Sequence, residues 1–86
     1  MFVILSYDIK KKRCQKALKT CRKYLKHVHN SVFEGEITEA KLEKLKRELA
    51  SIVKTNSDSI RIYRLAAARF VHVDEIGLCD NKSSII

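Results

Sequence analysis

The sequence predicts a small α+β domain in which two helices lie on one face of an antiparallel sheet. Two observations predict it. Apolar segments with strand character and segments with helical spacing succeed one another along 86 residues, in the order strand, helix, strand, helix, strand, strand. The length suits one domain, and a chain this size buries only about 60 to 65% of its unfolded surface, so a second copy covering apolar surface would add stability.

Phe2-Val3-Ile4-Leu5, followed by Ser6-Tyr7-Asp8, reads as a strand buried on both faces and therefore central in the sheet, with Asp8 at its exit. Residues 10 to 26 place Cys14, Ala17, Leu18, Cys21, Tyr24 and Leu25 at the spacing of one helix face. Val28 to Phe33 is rich in β-branched and aromatic residues, and Gly35 punctuates it, which predicts one strand ending near Glu36. Thr38 is placed to cap the next helix, whose apolar face is Leu42, Leu45, Leu49, Ile52 and Val53. Glu43 and Arg47 stand at a favourable i,i+4 spacing on its outer face. After a polar turn at 55–59, Ile60 to Leu65 reads as a strand, and Arg69 to Val73 as a further one. Two helices on one face of such a sheet is the ferredoxin-like arrangement. The domain is expected to span residues 1–77, with 78–86 as a tail that is polar until Ile85 and Ile86.

The longest purely aliphatic or aromatic run, Phe2 to Leu5, is too short for a membrane span or a signal-peptide core, so a cytoplasmic protein with no membrane partner is expected. Cys14, Cys21 and Cys79 form no CxxC pair, which argues against a disulfide framework or zinc site and for reduced thiols used as small core residues.

Net charge is +8, and its distribution carries the functional signal. Nine basic residues and no acidic one lie between Lys10 and Lys26, while the remaining nine basic and ten acidic side chains nearly cancel. Lys12, Lys16, Lys19, Lys23 and Lys26 recur at steps of four, three, four and three, so they form one stripe, flanked by Arg13 and Arg22. A face kept basic for solubility would normally mix signs. Unbalanced charge of this kind suits a phosphate backbone, where each contact releases counterions and positions the protein without reading sequence.

Asp8 is the only acidic residue in the first third of the chain. Taken alone, it reads as a cap for the helix that follows. The functional reading is Mg²⁺, which is held by one or two carboxylates plus phosphates and waters, so that a two-fold dimer would have to supply a second Asp8. His27 and His29 share a strand face without a third ligand nearby and read as packing or hydrogen-bonding residues. No Gly-rich phosphate loop and no nucleophile–histidine arrangement is evident.

Tyr7-Asp8-Ile9, Arg13 and Lys16 on the helix, Ser31-Val32-Phe33-Glu34-Gly35 with Thr38 soon after, and Glu75-Ile76-Gly77 together resemble the Cas2 family of CRISPR-associated adaptation proteins. The likeness runs in order from Met1 to about Gly77, and the chain is identified as a member of that family. The resemblance implies a ferredoxin-like homodimer in which a C-terminal strand pairs with the partner's sheet. It also implies that the dimer binds duplex DNA and bridges dimers of the CRISPR integrase subunit during spacer acquisition. Some members are metal-dependent endonucleases acting on single-stranded RNA or double-stranded DNA. Carried over, Asp8 is the Mg²⁺ ligand, with Tyr7, Arg13 and Phe33 around the cleft, while the charge stripe itself offers Lys12, Arg13, Lys16, Lys19 and Lys23 as nucleic-acid contacts. His27 and His29 stand where many members have Arg and Gln, and Leu25 where a Gly is common.

Two functions follow as expectations: a structural adaptor that grips duplex DNA, and a Mg²⁺-dependent endonuclease with Asp8, Tyr7 and Phe33 at its catalytic site. A toxin-like interferase of similar fold acting outside CRISPR is the third class.

Overall fold

The computed structural model describes residues 1–77. The elements are β1 (Phe2–Asp8), α1 (Lys11–Arg22), β2 (Lys26–His29), β3 (Val32–Glu36), α2 (Glu39–Ala50) and β4 (Ser59–Leu65), with a single 3₁₀ turn at Ala68–Phe70. The sheet order is β2-β3-β1-β4, and every neighbouring pair is antiparallel. The ferredoxin-like expectation holds for the protomer. Expectations for Cys79 and the 78–86 tail lie outside the described residues.

β1 is central because both its edges are used: Leu5 stands opposite Phe33 of β3 and opposite Ile62 of β4. Alternation on a strand sends Val3, Leu5 and Tyr7 to the helix side. There they form one core with Phe33, Ala17 and Cys21 of α1, and Leu42, Leu45 and Leu49 of α2. The other face is less covered than the sequence predicts. Phe2 is buried, Ile4 and Ser6 are half-buried, and Asp8 is exposed.

α1 stops at Arg22, four residues short of the predicted end, because the backbone tightens there. Lys23 N donates to Thr20 O, while Tyr24 N and Leu25 N both donate to Cys21 O. Leu25 is thereby turned into the core, where a Cβ on Gly35 would lie 3.4 Å from Leu25 Cδ2. The glycine leaves room for the larger side chain at the helix exit.

The one strand predicted over Val28 to about Glu36 is a hairpin of two. Asn30 adopts φ +28°, a left-handed conformation that asparagine tolerates better than most residues, and the chain reverses there. Thr38 caps α2 as expected, its Oγ1 accepting from Lys41 N at 3.2 Å, a contact of a type worth about 1 kcal/mol. Ile52 and Val53 follow α2 as half-buried residues instead of extending it. Glu43 pairs with Lys46 at i+3, not with Arg47. The strand predicted for Arg69 to Val73 is absent. Phe70 N bonds back to Ala67 O and Val71 N to Ala68 O, so these amides are spent locally on the 3₁₀ turn. Cys14 and Cys21 are free thiols, half-buried and buried. No helix among the described residues is long and apolar enough to cross a membrane.

Candidate nucleic-acid interface and the groove at Asp8

α1 sorts its cations by face. Lys12, Lys16 and Lys19 are exposed and have no hydrogen-bond or ion-pair partner among the described residues. They recur at i, i+4, i+7, so three free ammonium groups line one side of the helix over about 10 Å.

Arg13 and Lys23 were grouped with them from sequence, and the structure gives both acidic partners. Arg13 Nε donates to Asp58 Oδ2 at 2.6 Å and Nη2 to Asp58 Oδ1 at 2.9 Å and Ser57 Oγ at 3.1 Å. The Asp58 side chain has no exposed surface. It also accepts from Lys10 N and Lys54 N, each at 2.9 Å. The Arg13 guanidinium, aided by those two amides, holds the Asp58 carboxyl well below the usual carboxylate range despite its burial. Lys23 bonds Glu48 Oε1, and the Tyr24 hydroxyl donates to Glu48 Oε2, which joins the exit of α1 to α2. The Lys23 ammonium, then the Tyr24 hydroxyl, lower the Glu48 pKa.

Helical spacing carried a signal for Arg13. With Ala17 and Cys21 it forms the series i, i+4, i+8, which is the buried side of α1 and not the lysine side. Nothing local identified Asp58 or Glu48 as its counterparts.

Asp8 does not cap α1. Lys10 is the N-cap without a side-chain bond, and its own amide donates to Asp58. The exposed Asp8 carboxylate has no partner among the described residues. It lies opposite Ser59, beside the pairs Ser6–Arg61 and Ile4–Tyr63. Ser6, Tyr7, Asp8, Ser59, Ile60, Arg61 and Tyr63 line an open groove of about 320 Å³ on this edge of the sheet. Tyr63, half exposed, and Ile4 form an apolar strip beside it on the face away from the helices.

Tyr7 and Phe33 are not brought to the Asp8 carboxylate as side chains. Tyr7 points to the opposite face, its hydroxyl 3.8 Å from Cys14 Sγ, and burial, reinforced by the Cys14 contact, pushes its pKa up. Phe33 is fully buried, with ring centroids 5.7 Å from Tyr7 and 4.6 Å from His27, the latter stacked. Both rings shape the core beneath the groove. His27 Nε2 pairs with Asn30 O, and its Nδ1 lies 3.3 Å from Arg22 Nη2. A guanidinium can only donate, which makes Nδ1 the acceptor and Nε2 the protonated nitrogen. His27 therefore serves the hairpin and the helix exit, in line with the packing role read from sequence.

The family described as CRISPR associated protein Cas2 matches residues 1–73. The chain belongs to the Cas2 family. A Dictyoglomus turgidum protein named CRISPR-associated endoribonuclease Cas2 is 44% identical over 95% of this chain and 94% of its own length. A Thermotoga maritima protein of the same name is 42% identical over 91% and 90%. A crystal structure titled as Cas2 superposes with a TM-score of 0.88 at 34% identity, covering all of this chain and 97% of that one. Streptococcus pyogenes Cas2 superposes with a TM-score of 0.75, also at 34% identity, over 87% of this chain and all of that one.

In this Cas2 family member, a Mg²⁺ ion would have to be held by the donors around Asp8. Among the described residues no three His, Cys, Asp or Glu side chains gather as a metal-holding group. What the groove offers is one unpartnered carboxylate with the Ser6 and Ser59 hydroxyl-bearing residues beside it. That donor set would fit the ion only in part, as one of the one or two carboxylates that Mg²⁺ takes beside its waters.

Proposed function

We propose that this chain acts in CRISPR adaptation as a homodimer that lays the Lys12, Lys16 and Lys19 faces of its two α1 helices on duplex DNA. By the family resemblance, the dimer would bridge integrase dimers for spacer acquisition. The observation that carries the reading is the row of three partnerless lysines along one side of α1, whereas Arg13, Arg22 and Lys23, on its core side and at its exit, have acidic or ring partners. Phosphate contacts of this type supply affinity and orientation without base readout. The strip at Ile4 and Tyr63 is the proposed seat of the second copy, which would close the apolar face left open by the helices.

The test is a salt titration of duplex binding with wild type and a Lys12→Gln/Lys16→Gln/Lys19→Gln variant. Wild-type affinity is expected to fall steeply with salt, and the variant to lose about 0.9 of log–log slope for each contact removed. Wild-type binding indifferent to ionic strength overturns the reading. Integrase bridging is tested separately by co-purification with the integrase subunit. Recovery of none would favour the toxin-like alternative.

The second reading, a Mg²⁺-dependent endonuclease acting on single-stranded RNA or duplex DNA, is favoured by the free Asp8 carboxylate and by the endoribonuclease name its relatives carry. In it, the Asp8 carboxylates of the two protomers would hold the ion. When bound, Mg²⁺ supplies Lewis acidity toward a phosphate oxygen and acidifies water. Arg61, lining the same groove, is a cation able to balance the scissile phosphate, while Tyr7 and Phe33 support the strand from the core side. Purified Asp8→Asn protein should lose Mg²⁺-dependent cleavage while keeping its fold. A variant that cuts as fast as wild type removes the reading.

A further inference from the structure

Arg13 belongs to the basic segment by sequence but to the interior by structure. Its side chain is 12% exposed, and its guanidinium is turned from the lysine row toward the start of β4. Asp58 receives four hydrogen bonds on two oxygens: Arg13 Nη2 and Lys10 N on Oδ1, Arg13 Nε and Lys54 N on Oδ2. The placement of those donors matters. Lys10 lies two residues beyond Asp8 along the chain, and Ser59, the residue after Asp58, is the cross-strand neighbour of Asp8. One buried carboxylate thus ties down the loop leaving Asp8 and the strand facing it. The Asp8 carboxylate itself has no hydrogen bond or ion pair among the described residues to orient it.

We infer that Arg13 and Asp58 are positioning residues for the Asp8 carboxylate and that Arg13 makes no phosphate contact. The inference rests on the reading of Asp8 as a metal-holding group. It also divides the basic segment between two tasks: Lys12, Lys16 and Lys19 meet the nucleic acid, and Arg13 acts through Asp58 on the groove. An anchor of this kind acts through the backbone: it fixes where the ligand's strand ends and the strand facing it begins, so its loss should weaken metal affinity while the ligand itself stays in place.

Replacing Arg13 alone would strand a buried carboxylate and risk unfolding. The test therefore uses Arg13→Gln/Asp58→Asn, which removes both charges and leaves two amides able to bond. Folding is checked by circular dichroism. Mn²⁺ binding to the intact protein is followed by electron paramagnetic resonance, with Asp8→Asn as the control that abolishes it. The double variant should bind Mn²⁺ several-fold more weakly than wild type and keep the wild-type salt slope for duplex binding. Mn²⁺ affinity equal to wild type shows a purely structural pair and overturns the positioning claim. A salt slope lowered by about 0.9 shows that Arg13 touches phosphate and overturns the other half. Should wild type bind no Mn²⁺, the metal reading of Asp8 fails and the positioning claim with it, while the salt slope still decides the role of Arg13. If the double variant does not fold, the wild type supplies the readout on its own. The Arg13 Nε–H resonance should be unmoved by added duplex under conditions where the Lys16 ammonium signal shifts, and an equal shift of Arg13 overturns the assignment.

Discussion

Lys23 and Glu48 close an ion pair between the exit of α1 and α2, which takes Lys23 out of the lysine row and leaves Lys12, Lys16 and Lys19 as its free members on the helix. The Tyr24 hydroxyl reinforces it by donating to the same carboxylate. Lys23→Gln is therefore expected to leave the salt dependence of duplex binding near that of wild type, whereas Lys16→Gln or Lys19→Gln lowers the slope by about 0.9 each. Lys23→Gln should instead lower the thermal midpoint slightly, because it loosens the junction of the two helices. Equal slopes for Lys16→Gln and Lys23→Gln would show that Lys23 leaves Glu48 to meet the nucleic acid.

The absence of any partner for Asp8 separates its chemical role from a stabilising one. Asp8→Asn removes no hydrogen bond or ion pair among the described residues, so urea unfolding should differ from wild type by no more than about 0.5 kcal/mol. Duplex affinity should hold or rise, since one negative charge is lost beside a basic protein surface. A large loss of stability would mean that Asp8 is bonded within the protein, and the reading of Asp8 as a metal-holding group would fall with it.

Legibility followed locality. β1 could be read as central because the run Phe2 to Leu5 has no polar position, and Thr38 could be read as a cap because an N-cap bonds only three residues ahead. The lysine row and the alternation that exposes Asp8 are likewise short-period patterns. Asp58 was not legible: it meets Arg13 across 45 residues, and no spacing rule links a turn aspartate to a distant helix. The hairpin at Asn30 was missed because β-branched and aromatic residues on both sides outweighed one residue with left-handed backbone. The Arg69 to Val73 strand failed for a related reason. Composition marks a segment as fit for a sheet, but its amides were taken by a local 3₁₀ turn. The family resemblance named the position of Arg13 without its partner, and the partner decides what the residue does.

Acid should loosen the two ion pairs that α1 makes, with Asp58 and with Glu48. Asp58 and Glu48 both have pKa values lowered in the folded protein, Asp58 chiefly by Arg13 and Glu48 chiefly by Lys23. A lowered carboxyl means that the unfolded chain takes up protons first. Stability from these pairs is complete above the ordinary carboxylate pKa of about 4 and is lost as pH falls through the lower folded values. The urea midpoint should accordingly hold down to about pH 5 and then decline. In the Arg13→Gln/Asp58→Asn variant the decline should be shallower, because Asp58 no longer contributes. An identical acid profile would mean that Asp58 gains nothing from Arg13 in the folded state.

Base should act through the core. Burial pushes the Cys21 thiol up to about 12 in the folded protein, against an ordinary value of 9.0. The sign is opposite to that of the carboxylates: the folded state keeps the proton, so stability is intact below the unfolded value and is lost as pH rises toward the folded one. Each pH unit in that window costs roughly 1.4 kcal/mol from this group alone. Tyr7, also raised by burial, adds to the loss above about pH 10, where an unfolded tyrosine ionises. Cys21→Ala removes the thiol from the buried side of α1 and should flatten the stability curve between about pH 9 and 10, at some cost in packing at neutral pH. Denaturation followed at several pH values decides it. If wild type and Cys21→Ala lose stability in parallel over that interval, Cys21 is not held as a neutral thiol in the core, and the packing of α1 against β1 is looser than the structure indicates.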